Sequence, residues 1–171
     1  MQLNNQSADF NKQQAQKLSQ LLIQEANLAK NLLELMLEEK SLLEENRADK
    51  LTELTDRKAT CLDQIEFGSR SRAQLLLGLS SKPTTVARMN DFISKQVKQI
   101  QAILNRKIDT LEEVLEKCRH QNSINGMIIS MSQRNIQRNL NVIKGIDQNT
   151  MTYTQSGQTT PLDNKGKGLK A

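Results

Sequence analysis

The side chains that most often carry catalysis or bind metals are few in this chain of 171 residues, and they lie apart from one another. Cys61 and Cys118 belong to no Cys-x-x-Cys motif, and His120 is the only histidine. A metal site needs several such ligands close together, and a nucleophile needs a base beside it. We therefore interpret the cysteines as small buried thiols, and we expect neither a metal site nor a general base at His120.

Motifs for phosphate binding and acid-base chemistry are missing from the sequence as well. It shows no Gly-rich phosphate-binding loop, no paired carboxylates of an apolar cleft and no nucleophile with a histidine partner. We expect that the protein is not an enzyme and needs no cofactor. The chemistry that remains is non-covalent: hydrogen bonding by amides, ion pairing by basic side chains and burial of aliphatic side chains.

That chemistry is concentrated in the segment NGMIISMSQRNIQRNLNVIKG, residues 125–145, which we call the C-terminal strip. At ~100° per residue the large apolar side chains of residues 124–146 form two flanks of a helix. One flank contains Ile129, Ile136, Leu140 and Ile143. The other contains Ile124, Ile128, Met131, Val142 and Ile146. Small polar residues separate the two flanks, namely Ser132, Asn135 and Asn139.

Two apolar flanks give the C-terminal strip more apolar surface than one core-facing helix needs. Methionine adapts its shape to different partners, and Arg134 and Arg138, one turn apart, can donate to a carboxylate on a docked segment. No acidic residue occurs from Lys117 through Lys144. The pattern favours docking of an amphipathic helix from another protein.

Two other interpretations of the C-terminal strip stay open at this point. Both flanks could be buried by the chain's own first two helices, since an apolar stripe at helical spacing is most often core. A basic face for nucleic acid is disfavoured, because aromatic stacking groups and a recognition-helix motif are lacking. We therefore expect no nucleic-acid partner.

Long helices are predicted to position the C-terminal strip, because only 2% of the residues are aromatic and only seven Gly and two Pro interrupt the chain. Apolar residues at close to heptad spacing predict a first helix over about residues 10–45. One row of that stripe is Leu21, Leu28, Leu35 and Leu42, and its neighbours are Leu22, Ala29, Met36 and Leu43. Leu18 and Leu32 widen the stripe to that of a bundle helix.

Two sequence signals mark helix boundaries in the rest of the chain. Asn46 is predicted to end the first helix and Asp49 to cap a second, antiparallel helix over about 50–79, whose apolar positions include Leu54, Cys61 and Leu62. Pro83 disfavours helix before it, and Thr84 or Thr85 is predicted to cap a third helix over about 86–145, with a bend near Gly126. The predicted fold is all-α: an elongated bundle of long antiparallel helices in a single domain, residues 1–145.

Charge and hydropathy add further expectations. Residues 1–80 carry 10 basic and 12 acidic side chains, whereas residues 81–145 carry 11 and 5, so the two halves differ in sign. This difference favours packing of the halves on each other and could attract an acidic partner.

Residues 146–171 lose periodicity and are expected to be a flexible tail. No apolar run is long enough to span a bilayer and no hydrophobic signal core is present, so we expect a cytoplasmic protein that is not embedded in a membrane.

The segment NSINGMIISMSQRNIQRNLNVIKG, followed by TYTQSGQTT, resembles the C-terminal signature of the FlgN family of flagellar export chaperones. The matching positions are Asn122, Asn125, Gly126, Ile128, Ile129, Arg134, Asn135 and Leu140, and in the tail Tyr153, Gly157 and Gln158. A weaker match lies in LTDRKATCLDQIE of the second helix. Thr154 and Ser156 depart from the family's tail element, in which a glycine and an acidic residue are usual at these positions.

The resemblance implies a cytoplasmic chaperone that holds hook-associated proteins of the FlgK and FlgL type before type III export and binds their helical C-terminal regions. It also implies that the tail docks at the export gate component FlhA through Tyr153, Gly157 and Gln158. The expected client-binding residues are Asn125, Ile128, Ile129, Met131, Arg134, Asn135, Ile136, Arg138, Leu140 and Ile143. A self-assembling coiled-coil structural protein is the alternative, and a homo-oligomer is left open.

Overall fold

The structure, a computed structural model, describes the backbone of residues 2–144, 151–153 and 159–161 and the side chains of residues 9–144. The elements in chain order are α1 (Gln2–Glu44), α2 (Ala48–Leu77), α3 (Thr85–Ser94), α4 (Lys98–Ile143), β1 (Met151–Tyr153) and β2 (Thr159–Pro161). The chain divides into two compact units, Met1–Gly126 (unit 1) and Met127–Ala171 (unit 2), with the boundary inside α4.

In unit 1, α1 and α2 run antiparallel, as the short connection between them predicts. Arg72 of α2 donates to both carboxylate oxygens of Glu25 in α1, at 2.7 and 3.0 Å. Lys58, earlier in α2, donates to Glu39, later in α1, at 2.6 Å. The pairs advance in opposite directions along the two helices, which establishes the antiparallel arrangement.

The turn between α1 and α2 is built by Asn46, which adopts a left-handed backbone with φ of 54°. Arg47 N–H donates to the carbonyl of Leu42 at 2.9 Å, and Asn46 N–H donates to that of Leu43 at 3.3 Å. This is a Schellman motif, in which asparagine is one of the few residues that tolerate the left-handed position. The prediction that Asp49 caps α2 is wrong: its carboxylate binds the Arg47 side chain at 3.1 Å instead.

The region predicted as one third helix contains two helices. Thr84 caps α3 by accepting from Ala87 N–H at 3.2 Å, as predicted, but α3 ends at Ser94 and α4 begins at Lys98. Gln101 stabilises this break, because its side-chain amide donates to the carbonyls of Ser94 and Gln96 at 3.2 and 2.8 Å. Beyond the break α4 is continuous through the site near Gly126 where a bend was expected.

Within unit 1, α4 runs parallel to α1. Cys118 donates its thiol proton to the carbonyl of Ala29 at 3.3 Å, and Asn125 donates to that of Met36 at 2.8 Å. Both partners advance by seven residues in the same direction, so the helices keep one register. The buried apolar core of this unit contains Ala15, Leu18, Leu22, Ala26, Ala29, Leu32, Met36, Cys61, Leu76, Met89, Phe92, Ile93, Leu104, Leu111, Val114 and Cys118.

The two neighbouring apolar rows of α1 differ in burial. Leu22 is fully buried and its row continues into the core with Ala29 and Met36, whereas Leu21 and Leu28, in the other row, are only half-buried. The row that shows the clearest heptad spacing therefore does not form the centre of the core. In α2, Leu62 was expected among the core positions but is 48% exposed.

The predicted helical bundle is confirmed as the fold class. The strands β1 and β2, which the sequence analysis did not anticipate, pair antiparallel with Tyr153 opposite Thr159. The remaining residues of the predicted tail lie outside the described residues. Among the helices that the structure describes, none combines the length and apolarity needed to cross a bilayer.

Candidate functional site

The α4 part of unit 1 presents a helix face that α1 covers. Leu104, Leu111 and Cys118 lie seven residues apart and are buried, and Ile108 and Leu115 pack against the same core from the side. Seven residues are close to two turns of an α-helix, so these positions line up along α4. The face is apolar up to Cys118 and becomes polar at Gln121 and Asn125.

A buried polar cluster closes unit 1 at the last turn of its α4 segment. The side-chain amide of Asn125, 2% exposed, donates to the Met36 carbonyl and to Glu39 Oε2, both at 2.8 Å. Its carbonyl oxygen accepts from Gln121 Nε2 at 2.8 Å. Lys58 of α2 donates to the same Glu39 oxygen at 2.6 Å. The cluster therefore joins α1, α2 and α4.

The structure gives Asn125 a different role from the one expected of it. Its amide is satisfied inside the bundle and is not available to a client, so we interpret it as a residue that sets the register of α4 on α1. A single buried asparagine at such a position is well suited to that task, because a register shift would leave its amide unpaired. Gln121, Glu39 and Lys58 were missed by the sequence analysis. The seven-residue spacing from Cys118 to Asn125 was the available signal.

In unit 2, α4 carries exposed apolar side chains over the described part of the C-terminal strip. Ile136 is 59% and Ile143 80% exposed, and Ile128 is half-buried. The other exposed large apolar residues of this segment are Met127, Ile129, Met131, Leu140 and Val142. Both predicted flanks thus contribute exposed side chains, which overturns the interpretation that the chain's own first two helices bury them. Contiguous apolar surface of this kind is typical of a binding site for another protein.

The basic residues of the same segment are available for pairing. Arg134 and Arg138 are exposed, and neither forms an ion pair within the described part of the chain. Lys117 and Arg119, earlier in α4, are instead paired with Glu113 at 2.6 Å and Glu116 at 2.8 Å. Asn135 is also exposed. The segment can therefore offer two guanidinium groups and an amide to a partner.

Neither cysteine has the surroundings of a reactive thiol. Both are buried and free, and the thiol of Cys61 donates to the Leu28 carbonyl at 3.3 Å. Burial raises the pKa of both thiols, and for Cys118 the nearby Cys61 adds to the increase. The prediction of small buried thiols is confirmed. Among the residues that the structure describes, no group of three His, Cys, Asp or Glu side chains could hold a metal ion.

The predicted docking residues of the tail are described only in part. Tyr153 ends β1 and pairs with Thr159 of β2, so its backbone belongs to a short antiparallel ladder. Gly157 and Gln158 lie outside the described residues. The role expected of these three residues stays a prediction.

Comparisons with known proteins agree with this architecture. The sequence model of the family described as FlgN protein matches residues 3–161. The crystal structure of a flagella synthesis protein FlgN from Pseudomonas aeruginosa is similar to this chain, with 27% sequence identity and a TM-score of 0.54. That match covers 71% of this chain and 92% of the other. Comparison with curated protein sequences found no match.

Proposed function

The chain belongs to the FlgN family, and on that premise we propose that it is a cytoplasmic export chaperone. Its clients are hook-associated proteins of the FlgK and FlgL type, whose C-terminal helical regions it binds and delivers to the flagellar type III export gate. The exposed apolar surface of α4 in unit 2 is the observation that supports this proposal. No step of the function is catalytic.

The client helix is proposed to cover α4 in unit 2 as α1 covers it in unit 1. Ile108 and Leu115 pack against the core beside α1, and continuing in sevens along α4 leads past the exposed Asn122 to Ile129, Ile136 and Ile143, which are exposed. The same periodicity that fits α1 thus fits a further amphipathic helix. Leu140 lies on the same flank and extends the proposed contact.

Polar and adaptable side chains beyond this flank set the orientation of the client. Met131 and Ile128 contribute the second flank, and Asn135 supplies an amide beside it. Arg134 and Arg138, about 160° around the helix from Ile136, pair with carboxylates of the client at the far edge of the second flank. Forked guanidinium donors bind carboxylates in a defined geometry, so they favour one docking direction. The proposal therefore calls for a client helix with an apolar face and an acidic edge.

Client capture by single-residue variants tests the proposal. Ile136→Asp is expected to weaken capture of a purified FlgK-type client about tenfold or more, because a buried carboxylate replaces an apolar contact. Leu62→Asp is the matched control, since Leu62 is similarly exposed but lies on α2. Titration calorimetry gives the affinities, and circular dichroism verifies that both variants fold. Unchanged affinity in Ile136→Asp would show that the surface is assigned wrongly.

The tail is proposed to act at the gate and not on the client. Deleting residues 150–171 is expected to leave client affinity intact and to impair export, and Tyr153→Ala should reproduce the export defect if the tyrosine docks at FlhA. Export is measured as client secreted by a strain that carries the variant. A loss of client affinity on deletion would show that the tail takes part in client binding.

A further inference from the structure

A groove runs along unit 1 between α1 and α2, and its lining shares no residue with the surface proposed for the client. It consists of three neighbouring concavities, of which the first two share Leu21 and the second and third share Thr60. The middle one has a volume of about 600 Å³. Leu21, Leu28 and Leu35 line the α1 wall. They extend over about 21 Å at ~1.5 Å per residue, enough for about four turns of a docked helix.

Two apolar ridges border this groove. The first is the leucine row of α1, which is half-buried because α2 covers only one side of it: the thiol of Cys61 in α2 donates to the Leu28 carbonyl at 3.3 Å. The second is Phe67 of α2, which is 74% exposed. A helix that lay between the two ridges would bury both. An exposed aromatic ring beside a concavity is a typical anchor of a protein–protein contact.

The leucine row is a second apolar stripe on α1. Leu28 and Ala29 are adjacent in sequence and thus about 100° apart around the helix. Ala29 faces α4, whose Cys118 thiol donates to its carbonyl, while Leu28 lines the groove. Because α4 already fills the first stripe, a helix in the groove would leave the core of unit 1 unchanged.

The charge along the groove differs between its two ends. Glu34 and Asp63 line it, both are exposed, and neither forms an ion pair within the described part of the chain. Asp56, seven residues before Asp63 on the same face of α2, is exposed and equally unpaired among the described residues. Lys17 lines the opposite end. The groove is therefore acidic towards the turn between α1 and α2 and basic at its far end.

We propose that this groove binds an amphipathic helix of another protein, different from the client helix. The charge and spacing of the groove define that partner. An apolar row at seven-residue spacing faces the leucines and Phe67, and lysine or arginine side chains flank the row at the end nearest the α1–α2 turn. The client helix proposed for unit 2 needs an acidic edge, so the two sites select helices of opposite edge charge. This inference goes beyond the proposed function and does not depend on it.

Two model peptides of about three heptads, titrated against the full chain, test the groove. Both are stapled on their outer face to keep them helical, and both carry the same row of leucines. They differ only at the edges of the row, which are lysine in one (the Lys peptide) and glutamate in the other (the Glu peptide). Fluorescence anisotropy of the labelled peptides gives the affinities, and circular dichroism verifies that each protein variant folds.

Phe67→Ala is expected to weaken binding of the Lys peptide about tenfold or more, because it removes the aromatic anchor of the groove. It should leave binding of the Glu peptide unchanged. Leu62→Ala is the matched control, since Leu62 is also exposed on α2 but lies about 140° around the helix from Phe67. Asp63→Lys should weaken the Lys peptide several-fold at low salt and less at high salt, because screening reduces the attraction between exposed charges.

Each result bears on the inference. A Lys peptide that does not bind the parent, or that binds Phe67→Ala or, at low salt, Asp63→Lys as tightly as the parent, would overturn it. An equal loss in Leu62→Ala would also overturn it. Sedimentation velocity covers the remaining occupant: if Phe67→Ala abolishes a self-association seen in the parent, a second copy fills the groove and the inference is wrong.

The Glu peptide separates this inference from the proposed function. Ile136→Asp is expected to weaken the Glu peptide, which resembles the proposed client helix, and to leave the Lys peptide unchanged. If Ile136→Asp weakens the Lys peptide and Phe67→Ala does not, that peptide binds α4 and the inference about the groove is overturned. If Ile136→Asp affects neither peptide while Phe67→Ala weakens the Lys peptide, the client surface is assigned wrongly and the groove stands.

Discussion

The two parts of α4 share one helix and one seven-residue periodicity, yet they differ in almost every other respect. In unit 1, Leu104, Leu111 and Cys118 are buried against α1, and Lys117 and Arg119, on either side of Cys118, are paired with glutamates. In unit 2, Ile136 and Ile143 are exposed and the arginines have no ion-pair partner in the described part of the chain. The comparison shows that periodicity defines an apolar face of a helix. Whether that face is buried depends on whether another helix packs against it.

The largest expected effect comes from truncating the same face at one position in each unit. Leu104→Ala removes a side chain that is 1% exposed and should lower the free energy of unfolding by about 2–5 kcal/mol, because it leaves a cavity. Ile136→Ala should change it by no more than about 0.5 kcal/mol, because little burial is lost. Urea unfolding followed by circular dichroism measures both. Equal losses of unfolding free energy in the two variants would mean that the two positions do not differ in burial.

The polar cluster at the end of unit 1 offers the next largest effect. Asn125→Ala should destabilise the fold by about 1–3 kcal/mol, because the Gln121 amide and the Met36 carbonyl lose a buried partner. Asn122→Ala is the matched control, since Asn122 is exposed, and it should be close to neutral. The same urea experiment applies. A neutral Asn125→Ala would remove the register-setting role that we assign to it.

Two glycines, Gly126 at the boundary between the units and Gly68 in α2, extend the comparison. Apart from its chain neighbours and the backbone of its own helix, Gly126 has no heavy atom within 4 Å of the place where a Cβ would lie. Gly126→Ala should therefore stabilise the protein by about 0.5–1 kcal/mol through its higher helix propensity. At Gly68 a Cβ would lie 3.1 Å from Cγ of Glu25, whose carboxylate is held by Arg72. Gly68→Ala should therefore gain nothing or lose stability. Thermal unfolding of the two variants decides between these outcomes.

The smallest expected effect concerns paired charge, which distinguishes unit 1 from the strip. Lys95, followed by Ser80, lowers the pKa of Asp91 below its ordinary value through hydrogen bonds at 2.8 and 2.6 Å. Because the folded pKa is the lower one, this stabilisation is present above the unfolded aspartate pKa of about 3.9 and is lost as the pH falls through the folded value. Asp91→Asn should flatten the acid side of the melting-temperature profile slightly.

Arg138→Gln is the control for that profile, because Arg138 has no carboxylate partner in the described residues. Its acid-side slope should match that of the parent. A parent-like slope in Asp91→Asn would contradict the assigned cause of the pKa change.

Local signals made much of the fold predictable. Thr84 caps α3 because a hydroxyl satisfies a free N–H wherever a helix starts, and Asn46 ends α1 because few residues tolerate a left-handed backbone. The break before Lys98 was missed, since it contains neither Gly nor Pro and is stabilised by the Gln101 side chain from the next helix. The two apolar flanks of the strip were identified by their amphipathic pattern, which needs only residue types and their spacing, while their exposure was left open.

The sequence by itself determined the helical class, most helix ends and the existence of an apolar face on the late part of α4, because these depend on neighbours along the chain. Only the tertiary structure decided that Leu22 is core while Leu21 is half-buried, and that Asn125 is buried while Ile136 is exposed. Spacing along a helix places side chains on a common face, but burial and hydrogen bonding require a second helix, and which face receives one is set by packing across the fold.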